Sequence, residues 1–377
     1  MRITGIRYAS SLLAALLLGI RALACTTAVV SAGASASGRP MLWKQRDAGD
    51  AYNTIAYVRG GKYGFTALFP TADSQHTKAY AGINEVGFAI TNNLSYNLRP
   101  EGQGYGDTRN GLLMAEALGR CATVEEFHAL LKSLPHPMRL CANFGVIDAE
   151  GGAAYFEVSD EKIERFDVPE GGCLFRTNFS LSGESGRGKG YERYATMETL
   201  TARKASAGFD AAFFLHAGRS YIRDGKDMLR QSKTSRITEH NFIPRTTTTA
   251  GIVIEGVGKG DAADSGMMWC AVGYTPCCYA VPVWVAAKDD LPALLSADAP
   301  ANLLAVKLYS ALHDGDQVDM KALRRIIRRV EKAERREMSA GQRLDRKWRS
   351  SGLDREALLQ YNRSAEERFR RFKTGVL

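Results

Sequence analysis

Beginning at Thr26, short runs rich in β-branched and aromatic residues recur between turn signals: "TTAVVSA", "PMLWK", "NTIAYVR", "GFTALFP", "KAYAGI" and "GFAIT". Clusters such as "RDAGDAYN", "RGGKYG" and "INEVG" punctuate them, so the first third of the chain reads as sheet. The period then changes. In "DTRNGLLMAEALGRCATVEEFHALLKSL", residues 107–134, Leu112, Leu113, Ala115 and Leu118 form one helical stripe, and Val124, Phe127, Leu130 and Leu131 another. Thr123 followed by Glu126 is the capping-box spacing for the second helix. Strand patterns return in "NFGVIDAEGGAAYFEVS", a hairpin about "DAEGG", and in "IERFDV" and "CLFRTNF". Helical patterns occupy about 189–232, and "TTTTAGIVIEG", "GMMWCAVG" and "CYAVPVWV" supply a last group of strands. Alternating blocks of strands and helices suit a layered α+β sandwich, whereas a parallel sheet would need a strict βαβ repeat. No phosphate-binding glycine loop or internal repeat is present.

After about Ala299 the composition shifts to "KALRRIIRRVEKAERREMSAGQRLDRKWRSS" and "DREALLQYNRSAEERFRRFKTGVL", charged, helix-forming and nearly free of β-type runs. We read residues 299–377 as a pair of amphipathic helices packed on or beside the core with a solvated basic face, and residues 25–298 as the main domain. Interaction through those basic helices is a separate functional reading of the same segment.

The first 24 residues carry the marks of a secretory signal: Arg2 and Arg7, the apolar run "YASSLLAALLLGI", and Ala22 and Ala24 as small residues before a cut. That run is about 13 residues, short of the roughly 20 needed to span a bilayer, and no later stretch reads as a spanning helix either. Export to the periplasm or exterior is therefore expected, without a transmembrane span. Removing residues 1–24 leaves 353 residues and lowers the net charge from +9 to +6, too mild to argue for nucleic-acid binding. All seven cysteines remain. None lies in the C-x-x-C spacing of a zinc site, and Cys270, Cys277 and Cys278 read as buried small residues, with a disulfide among them open.

Cys25, at the expected cut, admits three uses. It can be a lipid anchor, although "ALA" before it lacks the leucine a lipobox usually places first. It can be an ordinary core thiol. It can also be the first residue of a mature enzyme, where the thiol (pKa about 8.5) and the α-amine (about 7.7–8.0) put nucleophile and base on one residue.

The mature start "CTTAVV", followed in order by "WKQRD", "GINEVGFAITNN", "NFGVIDAEGGAAYFEVS", "RTNFS" and "GMMWCAVGYTPC", resembles the N-terminal-nucleophile hydrolases related to penicillin acyltransferase and, more distantly, bile salt hydrolase and penicillin V acylase. The resemblance runs from Cys25 to about Val285. It implies a four-layer αββα sandwich with the cysteine at one end of an inner strand, here carrying a helical C-terminal extension. It also implies roles: Cys25 as nucleophile, Asp47 as the carboxylate that orients thiol and amine, and the Asn178 side-chain amide as an oxyanion donor. A main-chain N–H near Asn92 or Asn93, taken as Asn93, would be the second donor. Arg193 is the arginine near the nucleophile, with Arg236 as the alternative. Asp47 could otherwise be a turn residue of "RDAGD", and Asn178 a loop residue bonded to nearby backbone. Lys44 stands where bile salt hydrolases carry arginine, a departure that argues against their substrate. The activity implied is hydrolysis, or acyl transfer, at a non-peptide C–N amide of a small molecule through a thioester, with no metal or organic cofactor; a lipid-anchored protein that binds acylated ligands without turnover is the alternative. Homo-oligomer formation is left open.

Overall fold

A computed structural model describes residues 24–204, 207–231, 233–296 and 298–377. Of the expected signal segment only Ala24 falls within the described residues.

The chain enters β1 (Thr26–Val30) and returns through β2 (Met41–Asp47). A meander follows through β3 (Asn53–Val58), β4 (Phe65–Pro70), β5 (Ala81–Asn84) and β6 (Ala89–Leu94). After α1 (Asn110–Arg120) and α2 (Val124–Lys132) it resumes in β7 (Ala142–Ile147), β8 (Ala153–Val158) and β9 (Ile163–Asp167), and β10 (Cys173–Arg176) crosses back to β1. Next come α3 (Tyr191–Lys204), α4 (Ala211–Ala217), a ribbon of β11 (Ile222–Arg223) and β12 (Lys226–Asp227), the single turn α5 (Met228–Gln231) and β13 (Arg236–Thr238). The strands β14 (Thr248–Glu255), β15 (Met267–Val272) and β16 (Val281–Trp284) precede α6 (Pro300–Leu312), the hairpin β17 (His313–Asp314) and β18 (Gln317–Asp319), and the long helices α7 (Met320–Ser351) and α8 (Arg355–Val376).

Two antiparallel sheets result, a six-stranded one in the order β10-β1-β2-β14-β15-β16 and a seven-stranded one running β3 to β9 in sequence. They pack face to face, β1 and β2 lying against β6 and β7. Strand alternation decides what each face buries. On β7, Ala142, Phe144 and Val146 join α1 and α2 in an outer apolar cluster, where Phe127 meets Phe156 edge-on at 5.3 Å, while Ile147 joins the main core. On β2, Trp43 points outward to stack on Phe214 of α4 at 5.5 Å. Helices α3, α4, α6 and α7 cover that outer face, completing the αββα layering.

Three expectations shift in detail. The buried stripe of α1 is Leu113, Met114, Ala117 and Leu118, with Leu112 and Ala115 only half-buried, because the face toward the sheet starts one residue later. Thr123 does cap α2, its hydroxyl accepting from the Glu126 N–H at 3.1 Å, but the Glu126 carboxylate reaches back to Ala122 N, one residue before the cap. The segment after 299 contains three helices, where a pair was expected, and also β strands: β18 pairs with β17 on one side and with β13 on the other in a small sheet. Those strands are two or three residues long, too short for a period of two to register. One continuous apolar cluster runs from β1 to Phe369 of α8, so the C-terminal helices share the main core. At Gly341 the α7 backbone comes so close to Trp269 and Pro282 that a Cβ would sit 2.9 Å from both.

Candidate active site

The N-terminal end of β1 sits where several strand ends converge. Extending the antiparallel registers of β1 places Asn178 opposite Cys25 across β10, and Asp47 opposite Ala24 across β2. Thr27 bonds through its hydroxyl to Asn93 Oδ1 (2.7 Å) and receives the Tyr155 hydroxyl (2.9 Å), both from the facing sheet. Its side chain therefore points between the sheets, and alternation sends Cys25 to the same inner face and Thr26 to the outer one. Cys25 is 8% exposed, and its Sγ lies 3.8 Å from the main-chain oxygen of Asp47.

Asp47 is the last residue of β2, not a turn residue. A register shift in β14 between Thr248 and Ala250 turns Thr248 toward it, and the Thr248 hydroxyl donates to Asp47 Oδ1 at 2.6 Å. Arg245 Nε stands 3.7 Å from Oδ2, which is buried and accepts no hydrogen bond among the described residues. Burial pushes the Asp47 carboxyl up to about 6, against the opposing pull of Arg245, Arg193, the Thr248 hydrogen bond and Lys44.

Arg193, in the first turns of α3, is wholly buried. It donates to Cys25 O, Thr26 Oγ1 and Asn178 Oδ1, each at 2.7 Å, and burial lowers its pKa to about 10. The arginine fixes the Asn178 amide: with Oδ1 held by a donor, Nδ2 must carry the hydrogens, and it spends one on Leu94 O at 2.7 Å. The second N–H of that amide is the donor left for a ligand oxygen. Asn93 uses its side chain on Thr27 and on Thr177 O, so only its main chain can serve a ligand. Arg236 lies on β13, exposed and 3.4 Å from Asp314, and belongs to the small sheet.

Four contributors escaped sequence reasoning. Lys44, noted only as a departure, is fully buried on the inner face and donates to Asn92 O and, at 2.8 Å, to Asn92 Oδ1. Burial lowers its pKa to about 8, while negative charge at Cys25 holds it up, which puts the ammonium in reach of the thiol's field. Tyr96 also senses Cys25: burial raises its phenol, and a thiolate raises it further. Thr248 and Arg245 sit in "PRTTTTAG", whose threonine run announces a strand but not which hydroxyl meets Asp47. Beside this centre opens a cavity of 810 Å³ lined by Ala24, Arg193, Arg245, Lys189 and His240 among others. Among the described residues no cluster of three or more His, Cys, Asp or Glu could hold a metal ion, and no helix is long and apolar enough to cross a membrane.

Two stacked antiparallel sheets between helical layers, with a cysteine at the start of an inner strand, define the Ntn-hydrolase fold class. The chain belongs to the acyl-coenzyme A:6-aminopenicillanic acid acyl-transferase family, whose family model matches residues 44–233. Lys44, Asp47, Asn178 and Arg193 fall inside that match; Cys25 and Arg245 fall outside it. Among solved structures the chain is similar to a Caenorhabditis elegans ortholog of N-acylethanolamine-hydrolyzing acid amidase (15% identity, 64% of this chain and 96% of that one, TM-score 0.43). It is also similar to a variant of conjugated bile acid hydrolase from Clostridium perfringens (13% identity, 66% and 89%, TM-score 0.39). A third is penicillin V acylase from Agrobacterium tumefaciens (15% identity, 68% and 86%, TM-score 0.39). A search of curated proteins found no match.

Proposed function

We propose that the chain is exported, that cleavage after Ala24 leaves Cys25 as the N-terminal residue, and that the mature protein hydrolyses, or transfers the acyl group of, a non-peptide amide of a small molecule. The observation that carries this reading is the convergence of Asp47, Asn178, Arg193 and Lys44 around Cys25, the residue that leads into β1, beside a cavity that Ala24 itself lines.

In the proposed cycle the neutral α-amine takes the Cys25 thiol proton, directly or through water, and the sulfur attacks the acyl carbon. Asp47 Oδ2, buried and without a donor of its own, accepts from the resulting ammonium. Electrons of the carbonyl bond move to oxygen, held by the second Asn178 Nδ2–H and a main-chain N–H near Asn93. Two preorganised neutral donors suit a site already rich in buried cations, and each is typically worth about 100- to 1,000-fold in rate. Collapse breaks the C–N bond, and the leaving amine takes the proton from the α-ammonium. Water then attacks the thioester, giving its proton to the α-amine and returning acid and thiol; a second amine in place of water gives acyl transfer.

The test is the mass of the mature N-terminal peptide from exported protein, followed by amide-substrate screening against Cys25→Ala. An unmodified start at Cys25 and activity lost in the variant are expected. A diacylated Cys25, or a start elsewhere, would remove base or nucleophile and replace this reading with an anchored binding protein.

A further inference from the structure

Between α7 and α8, away from the strand ends that form the active site, lies a groove of 420 Å³. Its floor is apolar: the Tyr279 and Phe372 rings meet edge to face at 5.1 Å, and Ala333 lies beside them. Tyr279 is 5% exposed, yet its hydroxyl has no hydrogen-bond partner among the described residues. A buried hydroxyl without a partner is a cost the fold tolerates where a ligand supplies one.

The rim is cationic. Arg329, Lys332 and Arg336 stand exposed on α7 and Arg371 on α8. The groove's carboxylate, Glu337, is already spent: it accepts from Arg368 Nε and Nη2 at 2.7 and 2.8 Å and from the Tyr361 hydroxyl. Lys332 and Arg336 have no carboxylate partner among the described residues, and Arg329 gives one N–H to Gly375 O. Burial raises the Tyr279 phenol, so it stays a donor across the physiological range. Arg371 stands 3.9 Å from Glu367, but Arg329, Lys332 and Arg336 have no carboxylate partner among the described residues, and three such cations above an apolar floor, with one unused donor, match an anion that carries hydrocarbon.

We propose that this groove binds an anionic phospholipid, its phosphate held by Arg329, Lys332 and Arg336 with the Tyr279 hydroxyl donating to it, and its glycerol and first acyl segment lying on Phe372 and Ala333. A free phosphate would have no use for the floor.

Co-sedimentation of the purified protein with vesicles of phosphatidylcholine, with and without phosphatidylglycerol, tests this. Binding is expected only with phosphatidylglycerol. Lys332→Gln and Arg336→Gln, both at exposed positions, should each weaken it about fivefold. Tyr279→Phe should weaken it with all charges kept, and Ala333→Trp, which fills the groove, should reduce it to the phosphatidylcholine level. Circular dichroism and melting temperature establish that each variant is folded; should Ala333→Trp misfold, the two glutamine variants and Tyr279→Phe decide. Unchanged binding in folded Ala333→Trp or in Tyr279→Phe would reduce the effect to diffuse attraction and overturn the proposal. So would release of the protein by inorganic phosphate at unchanged ionic strength, which assigns the site to the free anion, or a concentration-dependent dimer abolished by Ala333→Trp, which assigns it to a second copy.

Discussion

Lys44 and Asp47, three residues apart on β2, end on opposite faces of the same strand, and the electrostatics of the site follow from that parity. Lys44 shares the inner face with the Cys25 thiol. Asp47 meets Arg245 at the sheet end, opposite the residue that precedes Cys25. Both are buried, and burial moves both toward neutrality: Asp47 up to about 6, Lys44 down to about 8. Between those values the carboxylate and the ammonium are both charged, so the alkaline fall of amide turnover should follow Lys44 near 8, while the acid limb should follow whichever of Asp47 and the α-amine loses its proton last. Lys44→Arg, which keeps its charge, should move the alkaline limb upward, and a limb that stays in place would detach Lys44 from catalysis. Stability runs the other way. The Lys44 pKa in the fold lies below its unfolded value of 10.5, so its contribution is present above that value and is lost as pH falls through about 8; for Asp47 it is present below 3.8 and lost as pH rises through about 6. Each charge therefore costs roughly 3 kcal/mol in the active window. The unfolding free energy of wild type minus that of Lys44→Met, measured against pH, should rise between 8 and 10.5, since the other buried titratable groups cancel in the difference.

The helix that delivers Arg193 is placed by what precedes it. Gly190 has φ +86°, and a Cβ there would lie 2.2 Å from Arg193 Nη2. The Gly190 oxygen accepts from Thr177 Oγ1 at 3.1 Å and from Tyr194 N at 3.0 Å, which links the end of β10 to the first turn of α3. Gly190→Ala should cost about 1–2 kcal/mol from backbone strain alone, read by urea denaturation. It should also lower kcat, because an arginine pushed aside can no longer fix the Asn178 amide. Loss of stability with unchanged kcat would show that Arg193 reorients freely. The same logic separates the two helices before it. Four of the four predicted apolar positions of α2 are buried, whereas α1 turns its face by one residue to seat Met114 and Ala117, since the surrounding phenylalanines of the sheet decide which side is down.

At the scale of the molecule, α7 is bolted to the sheet layer through a buried ion pair. Arg219, just past α4, makes two bonds to Glu334, at 2.7 and 2.5 Å, and also donates to the carbonyls of Thr275 and Cys278; Glu334 further accepts from Ala280 N at 3.0 Å. Glu334→Ala strands a buried guanidinium and should cost about 3–5 kcal/mol, seen as a lower urea midpoint, while Arg219→Met with Glu334→Leu should lose less than either single change. A cost under 1 kcal/mol would mean that water reaches Arg219 in the variant. None of this was legible in "RRVEKAERREM", where Glu334 looks like one solvated charge among many. What the sequence determined by itself was local: runs of period two and period 3.6 named the strands and helices, and the order of short motifs pointed to Asp47, Asn178 and Arg193, which the fold brings together around Cys25. Which strands become neighbours, and hence that Thr248 meets Asp47, that Asn92 holds Lys44 and that the C-terminal helices close the main core, was decided only by tertiary structure. The periodicity of a segment records which side it must bury, a property of a few consecutive residues. The partner against which it is buried is set by closing loops that reach 306 residues, as between Arg39 and Asp345, and many pairings satisfy the same alternation until the whole core is packed.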